Sequence, residues 1–286
     1  SGRILDMDYL EIFRPWLSDD LMLVSLPYLI FIALGTWLIS LYLQSVNIID
    51  YCWPLMLGAA VLIYAERTGL SNPVNQVLLG MTVVWASLMS WFMVKRGRNR
   101  PEDKRYREYR QQHGRYFPFK SLYLIFLPQA FLVWALSTLF AVALSASSNS
   151  AGSNGVHWSL VHSIAVALFF CGLTFKAVAD NQLHRFNQQV VQDHRVLNTG
   201  LWKYSRHPNY FGEFCVWWAW LVFAIPAGEP VILLIPVLII WILTKMSFVK
   251  LMERDIRNRR SGYLSYMATT SRFIPWLPKE SVGAEF

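Results

Sequence analysis

Seven long apolar runs limit what this chain can fold into more than any other feature. They cover residues 21–43, 47–65, 73–94, 119–144, 157–179, 210–225 and 231–249. A helix needs about 20 apolar residues to cross the hydrocarbon core of a bilayer. One such run can be a buried helix of a soluble core, but seven are more than a soluble domain of this length hides. In a bilayer each span must satisfy its own backbone hydrogen bonds, which selects helices. The expected fold is therefore all-α. Residues 1–286 are read as one polytopic membrane domain of about seven transmembrane helices. Pro128 should kink the fourth, because proline lacks an N–H and crowds the preceding turn. The first run is too long for the core of a secretory signal and lacks a basic lead, so it is read as a span.

The charge is as unevenly placed as the apolar residues. The net charge is +8, from 26 Lys and Arg against 18 Asp and Glu. Of the 26 basic residues, 23 lie in three stretches, at 95–120, 176–206 and 245–286. With seven spans, these are the third loop, the fifth loop and the C-terminal segment, all on one side. The positive-inside rule makes that side cytoplasmic and puts the N-terminus outside. Residues 95–120, 180–209 and 250–286 become the cytoplasmic loops of a protein in a bacterial inner membrane or the endoplasmic reticulum. The bilayer is then its first partner, and the chain is read as a monomer.

Other classes drop out. The 13 Trp, 13 Tyr and 18 Phe exceed what a soluble nucleic-acid binder hides. Cys52, Cys171 and Cys215 form no CxxC, so neither a disulfide framework nor a cysteine zinc site is expected. The six histidines form no HxxxH or HxxHH cluster of the kind that holds a di-iron centre. No metal is expected. There is no GxGxxG, so a Rossmann dinucleotide site is absent.

The basic loops are patterned rather than merely cationic. Arg96, Arg98 and Arg100 precede Pro101. The run Glu102-Asp103-Lys104-Arg105-Tyr106 then mixes acids, bases and an aromatic, as folded loops do. Arginine meets phosphate through a planar fork, and tyrosine stacks on or hydrogen-bonds a nucleotide. At the end of the fifth span, Lys176, Asp180 and His184 recur every four residues and share one helix face. Polar residues on one stripe beside apolar sequence favour an inward-facing site; a lysine snorkelling from a helix end is the plainer alternative.

The densest motif is Gly200-Leu201-Trp202-Lys203-Tyr204-Ser205-Arg206-His207-Pro208-Asn209-Tyr210-Phe211-Gly212-Glu213. Pro208 stops any preceding helix. Asn209 is expected to cap the sixth span, with Glu213 one turn further in. A carboxylate there is costly unless paired. Arg206 and His207 beside a helix N-terminus suit an anion.

This motif resembles the C-terminal signature of the steroid 5α-reductase family. Residues 77–101, with Gly80, Arg98, Arg100 and Pro101, are similar to that family's third helix and its Arg-x-Arg-Pro element. Glu102-Asp103-Lys104-Arg105-Tyr106 resembles a motif of its bacterial relatives. The resemblance implies a polytopic enzyme that uses NADPH to reduce a carbon–carbon double bond conjugated to a ketone. It implies phosphate contacts for Arg98 and Arg100, and nucleotide contacts for Asp180, near Lys176, and for Arg195. It implies a nicotinamide-side contact for Asn209, and for Glu213 a hold on the cofactor or on Asn209. Tyr204, Arg206 and His207 join the cofactor candidates by proximity.

Reduction of an enone also needs a group that stabilises negative charge growing on the ketone oxygen. The family is implied to use an acid on the second helix and a tyrosine on the third. Here Asp50 is the acid, expected to serve as a protonated donor, and an ordinary helix-starting aspartate is the plainer alternative. Trp53 is placed at the substrate. The third span has no tyrosine; Ala86 stands at that place, beside Trp85. Either Asp50 acts alone or another hydroxyl serves. The expected substrate is an apolar, steroid-like enone. The alternative reading is a membrane methyltransferase of the isoprenylcysteine carboxyl type, which shares an Arg-His-Pro-x-Tyr element and binds S-adenosylmethionine.

Overall fold

A computed structural model of the chain describes residues 20–97, 101–148, 157–189, 195–228 and 262–279. Among these residues the regular structure is helical throughout. The chain divides into two compact units between Trp158 and Ser159.

The first unit holds α1 (Asp20–Leu43), α2 (Ile48–Thr68), α3 (Pro73–Gly97), α4 (Lys104–His113), α5 (Phe117–Ser121) and α6 (Leu127–Ser148). Each boundary has a local cause. Gln44 takes a positive φ of 51° to end α1. Gly69, at φ 88°, closes α2 with its N–H on the Ala65 carbonyl at 2.9 Å. Asn72 accepts from the Val74 N–H at 2.9 Å, and Pro73 opens α3. An Asn cap followed by proline satisfies one free helix donor and removes another.

Helix α2 packs against α1, α3 and α6. A side chain at Gly58 would meet the Ala86 Cβ at 3.4 Å. Ala86 is buried on that face. The close approach of α2 and α3 explains why a small residue, rather than a tyrosine, occupies this position. The Tyr64 hydroxyl ties three helices together. It lies 2.6 Å from Ser25 Oγ of α1 and 2.8 Å from Ser137 Oγ of α6. Both serines also donate to carbonyls of their own helices. Tyr64→Phe therefore strands no donor, and interhelical hydrogen bonds in membranes average roughly 0.6 kcal/mol. Thermal unfolding in detergent should fall by only about 2–3 °C at that magnitude; a drop several times larger would refute this reading of the network.

The expected proline kink has a specific form. Residues Leu122–Phe126 make a π turn, with the Leu127 N–H on the Leu122 carbonyl, just before Pro128. The widened turn relieves the crowding that proline imposes on the residues before it.

The second unit holds α7 (Leu160–Gln189), a 3₁₀ turn at Gly200–Lys203, α8 (Pro208–Ala224) and α9 (Tyr263–Thr269). Helices α7 and α8 meet backbone to backbone. A Cβ on Gly212 would lie 2.6 Å from the Lys176 nitrogen and 2.8 Å from the Gly172 carbonyl oxygen. A Cβ on Gly172 would lie 2.9 Å from the Gly212 carbonyl oxygen. Only glycine at both places permits this contact.

Six helices among the described residues are long and apolar enough to cross a membrane, so the chain is a multi-pass integral membrane protein. The seventh run, 231–249, lies outside the described residues. The largest boundary difference is α7, which continues to Gln189 rather than stopping near residue 179. Its polar end is helical and carries part of the site described next. Helix α8 starts at Pro208, two residues before the expected start.

Candidate functional site

In the second unit, the close contact of α7 and α8 brings the polar stripe against the Arg-His-Pro-Asn motif. Lys176 Nζ donates to Asp180 Oδ2 at 2.7 Å. Asn209 Nδ2 donates to Asp180 Oδ1 at 3.0 Å. Lys176 and Asn209 are 7% and 6% exposed, which rules out a snorkelling lysine. Glu213 and Tyr210 of α8 also act electrostatically on the Lys176 ammonium.

Two expectations need correction. Asn209 is not the cap of α8. The helix has His207 at the N-cap and Pro208 in its first turn, so Asn209 is already inside it. Its amide donates sideways to α7 instead of accepting from its own backbone. Asn209 Nδ2 donates to Asp180 rather than to Glu213, which is half-buried and accepts from Trp217 Nε1 at 3.1 Å. The i+4 spacing from Asn209 to Glu213 is real, but the contact across helices holds the amide.

The loop carrying Arg206 and His207 is fixed on two sides. From α7, Gln182 accepts from the Leu201 N–H at 3.0 Å, and the Ala179 carbonyl accepts from Trp202 Nε1 at 3.1 Å. Gly200 has φ 60°, and a Cβ there would strike the Gln182 amide within 2.7 Å. From the C-terminal segment, the Tyr266 hydroxyl donates to the carbonyls of Trp202 and Ser205. Burial pushes that phenol above its ordinary value, so it stays a donor. The Arg206 N–H donates to the Ser271 carbonyl at 2.9 Å, and Ser205 Oγ donates to the Phe273 carbonyl at 2.7 Å. Phe273 packs against Phe211 and Phe214 of α8.

This clamp buries Arg206 and His207 beside the first turn of α8. His207 stacks on Tyr210 with ring centroids 5.6 Å apart. Tyr204 is 38% exposed, and Arg195 lies exposed at the start of the loop. Arg98 and Arg100 lie outside the described residues. Gln182, Tyr266 and the Phe273 backbone were not legible beforehand. Their roles depend on folds between distant segments, and only Trp202 had a sequence signal, within the dense motif.

In the first unit, Asp50 sits in the first turn of α2. The Tyr106 hydroxyl of α4 donates to Asp50 Oδ1 at 2.7 Å. Arg105 Nη2 stands 3.9 Å from Asp50 Oδ2. Trp53, one turn along α2, meets Trp85 of α3 edge to face at 5.5 Å.

The acidic loop motif is what brings Tyr106 there. Asp103 caps α4, accepting from the Arg105 N–H at 2.9 Å, while its own N–H donates to Asn47 Oδ1 at 2.9 Å. Glu102 holds Arg110 through two hydrogen bonds of 2.8 and 2.9 Å and accepts from the Val46 N–H at 3.1 Å. Partial burial raises the Glu102 carboxyl, but its hydrogen bonds to Arg110 outweigh this and hold it below the usual range. Asp103 is likewise held low, with the Arg105 contacts overcoming burial. The run from Glu102 to Tyr106 is therefore a folded latch on the connection between α1 and α2. Tyr106 lay in plain view in the sequence, but its partner is 56 residues away.

The chain belongs to the family described as protein of unknown function DUF1295, whose model matches residues 36–270. That family includes steroid 5α-reductase-like proteins. An uncharacterized protein of Schizosaccharomyces pombe is 23% identical over 217 residues, which cover 68% of this chain and 61% of that relative. The chain thus spans about three-fifths of the length of the curated relative it matches. No solved structure matches it.

Proposed function

We propose that this protein is an NADPH-dependent membrane reductase of a carbon–carbon double bond conjugated to a ketone, in an apolar, steroid-like molecule. The observation that carries the proposal is the Lys176–Asp180–Asn209 chain, an amide locked in one orientation at the start of a helix. Both Asp180 oxygens are engaged by protein donors, so Asp180 acts as the orienting group. Asn209 has given its Nδ2 to Asp180, which leaves Oδ1 as the acceptor for a carboxamide such as that of nicotinamide. The first turn of α8, with Arg206 and His207, has donor chemistry suited to phosphate. Arg195, exposed at the start of the loop, is a cation for a second phosphate contact. The donor set therefore fits NADPH.

Bound NADPH supplies a hydride to the β-carbon of the enone. Asp50, in its protonated form, would donate to the ketone oxygen on which negative charge grows, and a proton from solvent would complete the α-carbon. Trp53, backed by the buried Trp85, gives the substrate an apolar aromatic wall. In this reading the basic loops face the cytoplasm, where NADPH is found.

The test is mass spectrometry of the small molecule that co-purifies, followed by NADPH oxidation with a 3-oxo-Δ4-steroid. NADPH in the preparation and enone-dependent oxidation are the expected results. S-adenosylmethionine in the preparation, or no binding at saturating NADPH, would sink the proposal. Asn209→Ala should weaken NADPH binding by about 10–100-fold, the scale on which losing a hydrogen bond and unpairing a buried charged partner act. Wild-type affinity in that variant would remove Asn209 from the cofactor site.

A further inference from the structure

We infer that Tyr106 is the positioning residue for Asp50. The inference rests on the reductase reading, which names Asp50 but leaves its orientation unassigned.

The argument starts from what a lone carboxyl at a helix start can do. Its torsions are broad, so its two oxygens exchange places readily. A group that must present one oxygen to a ketone needs the other fixed. Tyr106 does this, because its phenolic O–H donates to Asp50 Oδ1 at 2.7 Å. The ring itself cannot drift. Tyr106 is 7% exposed and packs beneath the Arg105 guanidinium, whose carbon lies 5.3 Å from the ring centroid. The backbone on either side is pinned by the Asp103 cap and by Glu102 on Arg110. The hydrogen bond from Tyr106 commits Oδ1 and leaves Oδ2, with Arg105 Nη2 3.9 Å away, as the working oxygen.

The commitment of Oδ1 also narrows the ligand. An acid with one working oxygen makes a single hydrogen bond, which suits the oxygen of a ketone. A substrate carboxylate would find no two-pronged donor there. Arg105 Nη2, at 3.9 Å from Oδ2, is beyond hydrogen-bond reach of it. Tyr106 therefore acts through Asp50 and not on the substrate.

A double-mutant cycle separates this role from a merely structural latch. Tyr106→Phe should lower kcat about tenfold, and Asp50→Asn about a hundredfold, within the range of proton-handling groups. NADPH affinity should stay within about twofold, since neither Asp50 nor Tyr106 is assigned to the cofactor. The double variant should be no slower than Asp50→Asn, because Tyr106 has nothing left to orient. Glu108→Gln, on the exposed face of the same helix, touches neither Asp50 nor the latch and should keep wild-type kcat. Additive losses in the double variant, or a Glu108→Gln loss equal to that of Tyr106→Phe, would assign Tyr106 to folding alone and overturn the inference. Wild-type kcat in Tyr106→Phe would overturn it directly. Absence of enone turnover in the wild-type protein would instead bring down the reductase reading, and this inference with it.

Discussion

Gly212→Ala should separate α7 from α8 and abolish NADPH binding, while leaving the first unit folded. The new methyl carbon would start 2.6 Å from the Lys176 backbone nitrogen and 2.8 Å from the Gly172 carbonyl oxygen. Neither is the tip of a flexible side chain, so relief requires one helix to move bodily. Overpacking a well-fitted core costs about 1–3 kcal/mol and sometimes more. A clash between two backbones belongs at the upper end. The separation also pulls Asn209 away from Asp180, now 3.0 Å apart, so the proposed cofactor site goes with the packing. Gly80→Ala provides the control. It lies in α3 with nothing within 4 Å of its would-be Cβ. It should be neutral or stabilising by up to about 1 kcal/mol, from the lower cost of ordering alanine in a helix. Size-exclusion profiles and thermal unfolding in detergent measure both. If Gly212→Ala unfolds at the wild-type temperature and binds NADPH normally, the backbone contact is not what sets the site.

Asp180→Leu should lower the unfolding temperature sharply. Lys176 and Asp180 are paired with side chains only 9% and 15% exposed. Removing the carboxylate leaves a buried ammonium without its closest partner and takes the acceptor from Asn209. Breaking a buried pair from one side costs about 3–5 kcal/mol. At about 2–4 °C per kcal/mol for a chain of this class, the shift is on the order of 10 °C. The double change Lys176→Met with Asp180→Leu should recover most of that stability, because neither member of the pair is then left buried alone. It should not recover NADPH binding, since Asn209 still lacks its orienting partner. This difference between stability and binding separates an orienting role from a structural one. A double variant that binds NADPH like the wild type would show that Asp180 serves the fold and not the cofactor.

How far each part of the site could be read in advance follows from the distance between partners. Lys176 and Asp180 are four residues apart on one helix, and periodicity alone put them on one face. Asn209 and Glu213 have the same spacing, and the same rule put them on one face. Their partners nevertheless differ, because Asn209 turns to α7 and Glu213 takes Trp217 Nε1. Helical spacing says which side chains are neighbours on a surface. It does not say which of them meets a better partner on the next helix. The missing tyrosine shows the same limit. Ala86 correctly signalled that α3 offers no hydroxyl at that place, since Gly58 lies against it. The phenol that reaches Asp50 comes from another helix, through a latch built from Asn47, Glu102 and Asp103.

The sequence by itself determined that this chain is a bundle of membrane-spanning helices. Hydrophobic burial and backbone satisfaction in lipid depend on composition along one segment at a time. It also determined where the polar chemistry gathers, because charges avoid the hydrocarbon core and collect at helix ends. Only the tertiary structure decided which of those residues touch. Two glycines let α7 and α8 meet backbone to backbone, which put Asn209 on Asp180. A folded loop carried Tyr106 to Asp50. A hydrogen bond of about 3 Å depends on the approach of two separate segments, and no periodicity within either one contains that distance.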